Sequence, residues 1–168
     1  LENFINDEEL EEARQFIGEE SLNLDNKVYG ENNPSINRQW YFIEADNAYK
    51  KILIDLRLQR DWDYGMENII PSAKKYILKI KNRIDKCTNT NFKLERVYLN
   101  RQVRGQDVTL HIDDQKPNVY TLLIYIGDIT PENYDKAGGD LELKTKEITR
   151  IEPFTKRAVL FKGYIPHQ

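Results

Sequence analysis

The chain holds only two histidines, and both stand beside strand-like apolar runs. His111 opens His-x-Asp-Asp (111–114), just before "VYTLLIYI" (119–126), and His167 closes "RAVLFKGYIPHQ" (157–168). Residues two apart on an extended backbone share a face, so the His111 imidazole and the Asp113 carboxylate can reach one ion. A histidine followed by an acid two residues on is a common pair, and by itself it reads more simply as a hydrogen-bonded surface contact. His167 shifts that weighing, because it follows a strand that can pair near the first histidine. Two imidazoles and one carboxylate on a face leave three positions of a six-coordinate ion open, a set suited to iron(II) with a cosubstrate and O2. A closed zinc site needs a fourth protein ligand, and no sulfur lies near these positions. Asp114 is the nearest candidate, but alternation sends its side chain to the opposite face. The single cysteine, Cys87, reads as an ordinary residue near a helix end.

The elements that must hold these side chains change character near residue 91. A first helix is expected over "NDEELEEARQFIGEE" (6–20), with Asn6 or Asp7 as N-cap, acids in the first turn, Leu10, Ala13, Phe16 and Ile17 at helical spacing, and Gly18 as a stop. "RQWYFIEA" (38–45) reads as a strand. Asp46 is expected to cap a second helix through "NAYKKILIDLRLQRD" (47–61), with Ala48, Ile52 and Leu56 on one stripe. Pro71 fits the first turn of a third, "PSAKKYILKIKNRIDK" (71–86), in which Ala73, Ile77, Ile80 and Ile84 share a face.

Beyond Phe92 the period becomes two. "FKLERVYLN" (92–100), "DVTLHI" (107–112), "VYTLLIYI" (119–126), "GDLELK" (139–144), "EITRIEP" (147–153) and "RAVLF" (157–161) are short β-branched and aromatic runs separated by turn residues. "VYTLLIYI" is too apolar to be wet on one side. Leu122, Ile124 and Ile126 are expected against helices, and Thr121, Leu123 and Tyr125 against an interior. Gly138-Gly139 suits a tight turn, after which Leu141 and Leu143 alternate into a core. The expectation is a single α+β domain over 1–168: mostly helical support over 1–90, then a jelly-roll (double-stranded β-helix) core over 91–168, with the N-terminal helices packed on one sheet.

Composition narrows the function classes. At 168 residues, 39% hydrophobic and 32% charged, the chain is long enough to bury a core and polar enough to be globular. A net charge of −3 leaves no footprint for nucleic acid. No apolar stretch approaches the ~20 residues of a membrane span, and the acidic opening lacks the basic start of a secretory signal. With one cysteine and no internal disulfide, a cytoplasmic location is expected.

Taken together, "HIDD", "YTLLIYI", "GGDLELK" and "RAVLFKGYIPH" resemble, in order and rough spacing, the 2-oxoglutarate/Fe(II)-dependent oxygenases, most closely the prolyl 4-hydroxylase-like branch and its short microbial and viral members. The resemblance is firm from about Tyr98 to His167 and looser before. It implies that His111, Asp113 and His167 hold iron(II), and that Tyr125 binds the C5 carboxylate of 2-oxoglutarate. Tyr98 or Asn100 would supply a further polar contact to that cosubstrate. O2 would be the second cosubstrate and ascorbate a stimulant. The family also places an Arg or Lys beyond the distal histidine to pair with the C5 carboxylate. The sequence ends at Gln168, so the final strand is expected to lie outside it, with Lys144 as the substitute within it.

The implied activity is hydroxylation of an unactivated C–H bond, with a prolyl residue of a peptide or protein as the first-choice substrate and a free amino acid or small molecule as the second. Asp113 argues against a halogenating relative, since one position cannot hold both a carboxylate and chloride. Trp40, Tyr41, Trp62 and Tyr64 are read as packing residues before cleft residues, and "QRDWDYGME" (59–67) as a surface loop before a flap. A non-catalytic, metal-stabilised jelly-roll binding module is the competing class.

Overall fold

The computed structural model of the chain describes residues 1–23, 49–57, 71–102 and 108–168. The strand expected at 38–45, the loop at 59–67 and Trp40, Tyr41, Trp62 and Tyr64 lie outside them.

Helix α1 (Asp7–Asn23) is started by a reciprocal cap. The Glu9 amide donates to Asn6 Oδ1 (2.8 Å), and the Asn6 amide donates to Glu9 Oε2 (3.0 Å). Asn6 is therefore the N-cap. Gly18 does not stop the helix, which runs on to Asn23; a glycine inside a helix costs only about 1 kcal/mol, and further turns can carry it. Helix α2 (Pro71–Thr88) starts at the proline, as expected. Its Tyr76, Ile77, Ile80 and Ile84 are fully buried, and each such side chain contributes roughly 1.5–3 kcal/mol.

Between the helices in sequence lies strand β1 (Tyr49–Arg57), where a second helix was expected. "YKKILIDLR" satisfies both periods: Ile52 and Leu56 stand four apart, yet Ile52, Ile54 and Leu56 also alternate. Pairing on both edges decides between them. β1 lies antiparallel to β2 (Lys93–Gln102) on one side and to β3 (Val119–Tyr125) on the other. Strand β6 (Ala158–Lys162) completes a four-stranded sheet in the order β2-β1-β3-β6. The region before residue 90 is thus not only support, because it supplies an inner strand of the main sheet. A short helix α3 (Tyr134–Ala137) precedes a second sheet of β4 (Leu141–Lys144) and β5 (Ile148–Ile151). Gly138, at φ +65°, ends α3 and returns its amide to the Tyr134 carbonyl (3.0 Å).

β3 separates two cores. Leu122 and Ile124 pack with Leu10 and Ala13 of α1 and with the buried face of α2. Leu123 and Tyr125, on the other side, pack with Phe161 of β6 and with Leu141 and Leu143 of β4. The layers are helices, the larger sheet, and the smaller sheet, and the two cores fill the two gaps. Arg14 ties α1 to the end of β3 by donating to the carbonyls of Ile126 and Gly127 (both 3.2 Å) and pairing with Asp128.

Candidate metal centre

Of the stretch expected as a strand at 107–112, the described residues 108–112 hold one bridge, His111 with His167. His111 donates its amide to the His167 carbonyl (3.0 Å), and His167 donates back to the His111 carbonyl (2.8 Å). The residues flanking His167 turn the other way. Lys144 donates to Pro166 O (2.8 Å), Glu142 to Gln168 O (2.9 Å), and Gln168 to Glu142 O (3.1 Å). The smaller sheet is in this way continued by two more segments, and one row runs Thr149, Leu143, His167, His111. The bend after His111 is fixed at Gly163, whose carbonyl accepts the amides of Asp113 (2.8 Å) and Asp114 (3.2 Å). A Cβ at Gly163 would stand 3.3 Å from Val119 Cγ1 and 3.4 Å from the Asp114 amide nitrogen, so a side chain there would make Val119 give way by a few tenths of an ångström.

This backbone brings His111, Asp113 and His167 together, with one ligand atom from each within 4.8 Å of the others. Nε2 of His111 lies 3.8 Å from Asp113 Oδ1, and Nε2 of His167 lies 3.6 Å from Oδ2. These separations exceed hydrogen-bond length, so the simple hydrogen-bonded pair is not what the geometry offers. The other ring nitrogens are engaged in matching fashion. His111 Nδ1 donates to the Thr109 carbonyl (2.8 Å) and His167 Nδ1 to the Ile165 carbonyl (2.9 Å), each two residues back. Those acceptors commit Nδ1 as a donor and leave each Nε2, on the carboxylate side, as the nitrogen available to an ion. Two imidazole Nε2 atoms and a carboxylate oxygen facing one another suit a divalent cation. Ligand bonds of about 2.1 Å would require the three atoms to close up by well under 1 Å each, within side-chain rotation. The donor set fits a metal.

The site is lopsided. His167 and Asp113 are buried, with side chains 6% and 4% exposed, while His111 is 43% exposed. The Phe161 ring packs edge-on to His167, with centroids 4.8 Å apart. Thr121 donates its hydroxyl to Asp113 Oδ2 and aims that carboxylate. Neither Thr121 nor Gly163 was singled out for this role in the sequence. The one available signal was a hydroxyl on the inward face of an otherwise apolar strand.

The remaining expected residues fall as follows. Tyr125 is buried in the core that also holds Leu143 and Phe161, both of which border His167. Tyr98 and Asn100 lie on β2, and only their backbone is described. Pairing through β1 puts Asn100 in one row with Lys51 and Tyr125, and Tyr98 in one row with Leu53 and Leu123. Lys144 shares its side of β4 with Glu142 rather than with the buried Leu141 and Leu143, so alternation turns it away from the core that holds Tyr125. It does not serve as the substitute cation for that core. Asp114 is not part of the ligand group; its Oδ1 accepts the Lys116 amide (2.8 Å). Among the described residues, no helix is long and apolar enough to cross a membrane.

Comparison with known proteins returns no matching family model, no matching curated protein and no matching solved structure.

Proposed function

We propose that the chain is a 2-oxoglutarate- and iron(II)-dependent dioxygenase that hydroxylates an unactivated C–H bond, with a prolyl residue of a peptide or protein as its substrate. The observation that carries this reading is the convergence of His111, Asp113 and His167, with both Nδ1–H groups committed to backbone carbonyls. Three protein ligands leave open positions, which a structural site would not. Iron(II) with bound 2-oxoglutarate would supply O2 activation, coupling loss of CO2 from the oxo acid to insertion of a hydroxyl group.

The chain's own residues divide the remaining work. His167 and Asp113, buried against Phe161 and Thr121, hold the ion from the dry side. His111, on the wet side, borders the approach of substrate. Tyr125 is proposed as a contact for the far carboxylate of 2-oxoglutarate, with Tyr98 or Asn100 from the neighbouring rows. The fold part of the reading, a double-stranded β-helix, is supported by the two facing sheets and by the bridges that widen the smaller one.

The test is anaerobic titration of the purified protein with Fe(II) and 2-oxoglutarate, followed by the weak visible charge-transfer band of the bidentate complex. The band should appear in the parent and vanish in His111→Ala. A folded parent that binds metal without the band would instead be a metal-stabilised binding module.

A further inference from the structure

The row that carries His111 ends in an open edge. His111 and Asp113 both turn their amides inward, to His167 and Gly163. Alternation along an extended backbone then turns the N–H and C=O groups of Leu110 and Ile112 outward. Among the described residues nothing bonds to the backbone of either, and both side chains are exposed, at 42% and 38%. An unpaired edge of this kind is a template for an added strand.

We infer that this edge is where substrate docks: an extended, proline-containing peptide pairs antiparallel with Leu110–Ile112, with its proline directly opposite His111. The inference rests on the dioxygenase reading above and adds to it the edge and the register by which the peptide docks. The hydrogen-bond pattern says where along such a peptide the proline fits. His111 has already spent its N–H and C=O on His167. The residue opposite it therefore occupies a non-hydrogen-bonded position, where its own N–H points away from the protein. Proline, which has no N–H, loses nothing at that one position, whereas opposite Leu110 or Ile112 it would forfeit a bond. The residues on either side of the proline donate to and accept from Leu110 and Ile112. The one before it is already biased to extended backbone. Directly opposed residues put their side chains on the same face with Cβ atoms about 5 Å apart, so the proline ring is presented on the side of the sheet that bears the His111 imidazole and Asp113. The exposure of His111, beside the burial of His167, leaves that side open.

The test uses the full chain with Fe(II) and 2-oxoglutarate under anaerobic conditions, and a fluorescein-labelled nine-residue threonine–valine peptide with one central proline. Fluorescence anisotropy is read for the parent peptide and for versions methylated at single backbone nitrogens. Methylation of the residue before or after the proline should weaken binding about tenfold, because each removes a bond to Ile112 or Leu110. Methylation two residues from the proline, where the N–H points away, should change binding less than about twofold. Equal losses at all four positions, no loss at any, or no binding of the parent peptide would overturn the docking mode. Admitting O2 and measuring succinate reads the dioxygenase assignment separately. Succinate without the methylation pattern retires only the docked edge, and the pattern without succinate retires only the chemistry.

Discussion

Two buried carboxylates in this molecule are treated in opposite ways. Glu9, fully buried at the start of α1, is surrounded by fixed charge. Arg83 of α2 binds both of its oxygens, Lys79 lies 3.1 Å from Oε1, and the Asn6 amide donates to Oε2. Burial pushes its pKa up, but the Arg83 hydrogen bonds, the Asn6 amide and Lys79 outweigh that and hold it at about 2, against 4.5 ordinarily. The Asp113 side chain is 4% exposed, yet its partners among the described residues are one hydroxyl and two imidazoles, with no lysine or arginine. A buried charge without a cation is costly. The first carboxylate is a closed structural joint. The second meets no lysine or arginine among the described residues, which is what the ligand role proposed for it asks.

The sharpest way to break the comparison is to exchange the expected losses. Asp113→Ala and His167→Ala should each weaken Fe(II) binding by at least about a hundredfold in anaerobic titration, since each deletes one of three ligands. Asp113→Asn, measured metal-free, should melt no lower than the parent, because it removes an uncompensated charge. A large drop would place Asp113 with Glu9 as a structural group.

Glu9→Gln should do the reverse, lowering the unfolding free energy by about 2–3 kcal/mol in urea while leaving metal affinity unchanged. The pH dependence has a definite sign. Because folding depresses the Glu9 pKa from 4.5 to about 2, its contribution is complete above pH 4.5 and is lost as pH falls through about 2. That contribution amounts to at most about 3 kcal/mol, and acid melts of Glu9→Gln should lack it.

Two smaller effects sharpen the picture at the site. Thr121→Val keeps the shape of the strand but removes the hydroxyl that aims Asp113, and should cost about tenfold in metal affinity, with Thr121→Ser close to the parent. Gly163→Ala should weaken metal binding only a few-fold, by crowding Val119 and the Asp114 amide, at a stability cost of roughly 1 kcal/mol.

The clustering of His111 and His167 at Asp113 was legible in the sequence because histidine is rare in it. With two histidines in the chain, each one's position beside an apolar run is informative, and the structure brings both to Asp113. The two faces of β3, the start of α2 at Pro71 and the cap of α1 were legible for a similar reason, since each is encoded within a few neighbouring residues. β1 was not. Its segment suits helix and strand alike, and the choice is made by β2 and β3, far along the chain. The stretch expected as a strand up to Ile112 keeps, among its described residues, only the bridge at His111, which is made with His167 far along the chain. Thr121 was hidden by its ordinariness, as threonine is common in strands and nothing local marks the one that meets a carboxylate.

The bridge between His111 and His167 would also fix when the proposed ion can be captured. The two ligands are far apart in sequence, with β3, β4, β5 and β6 lying between them. Closing so long a loop is entropically unfavourable and is offset only once the intervening strands have paired. On a ribosome, a chain that has exposed only His111 and Asp113 offers two ligands and holds a cation weakly. The third arrives after the strands that shield it. For the iron(II) proposed above, such an assembly order would keep the metal out of half-made protein, and a bound ion would report that the segment carrying His167 has docked.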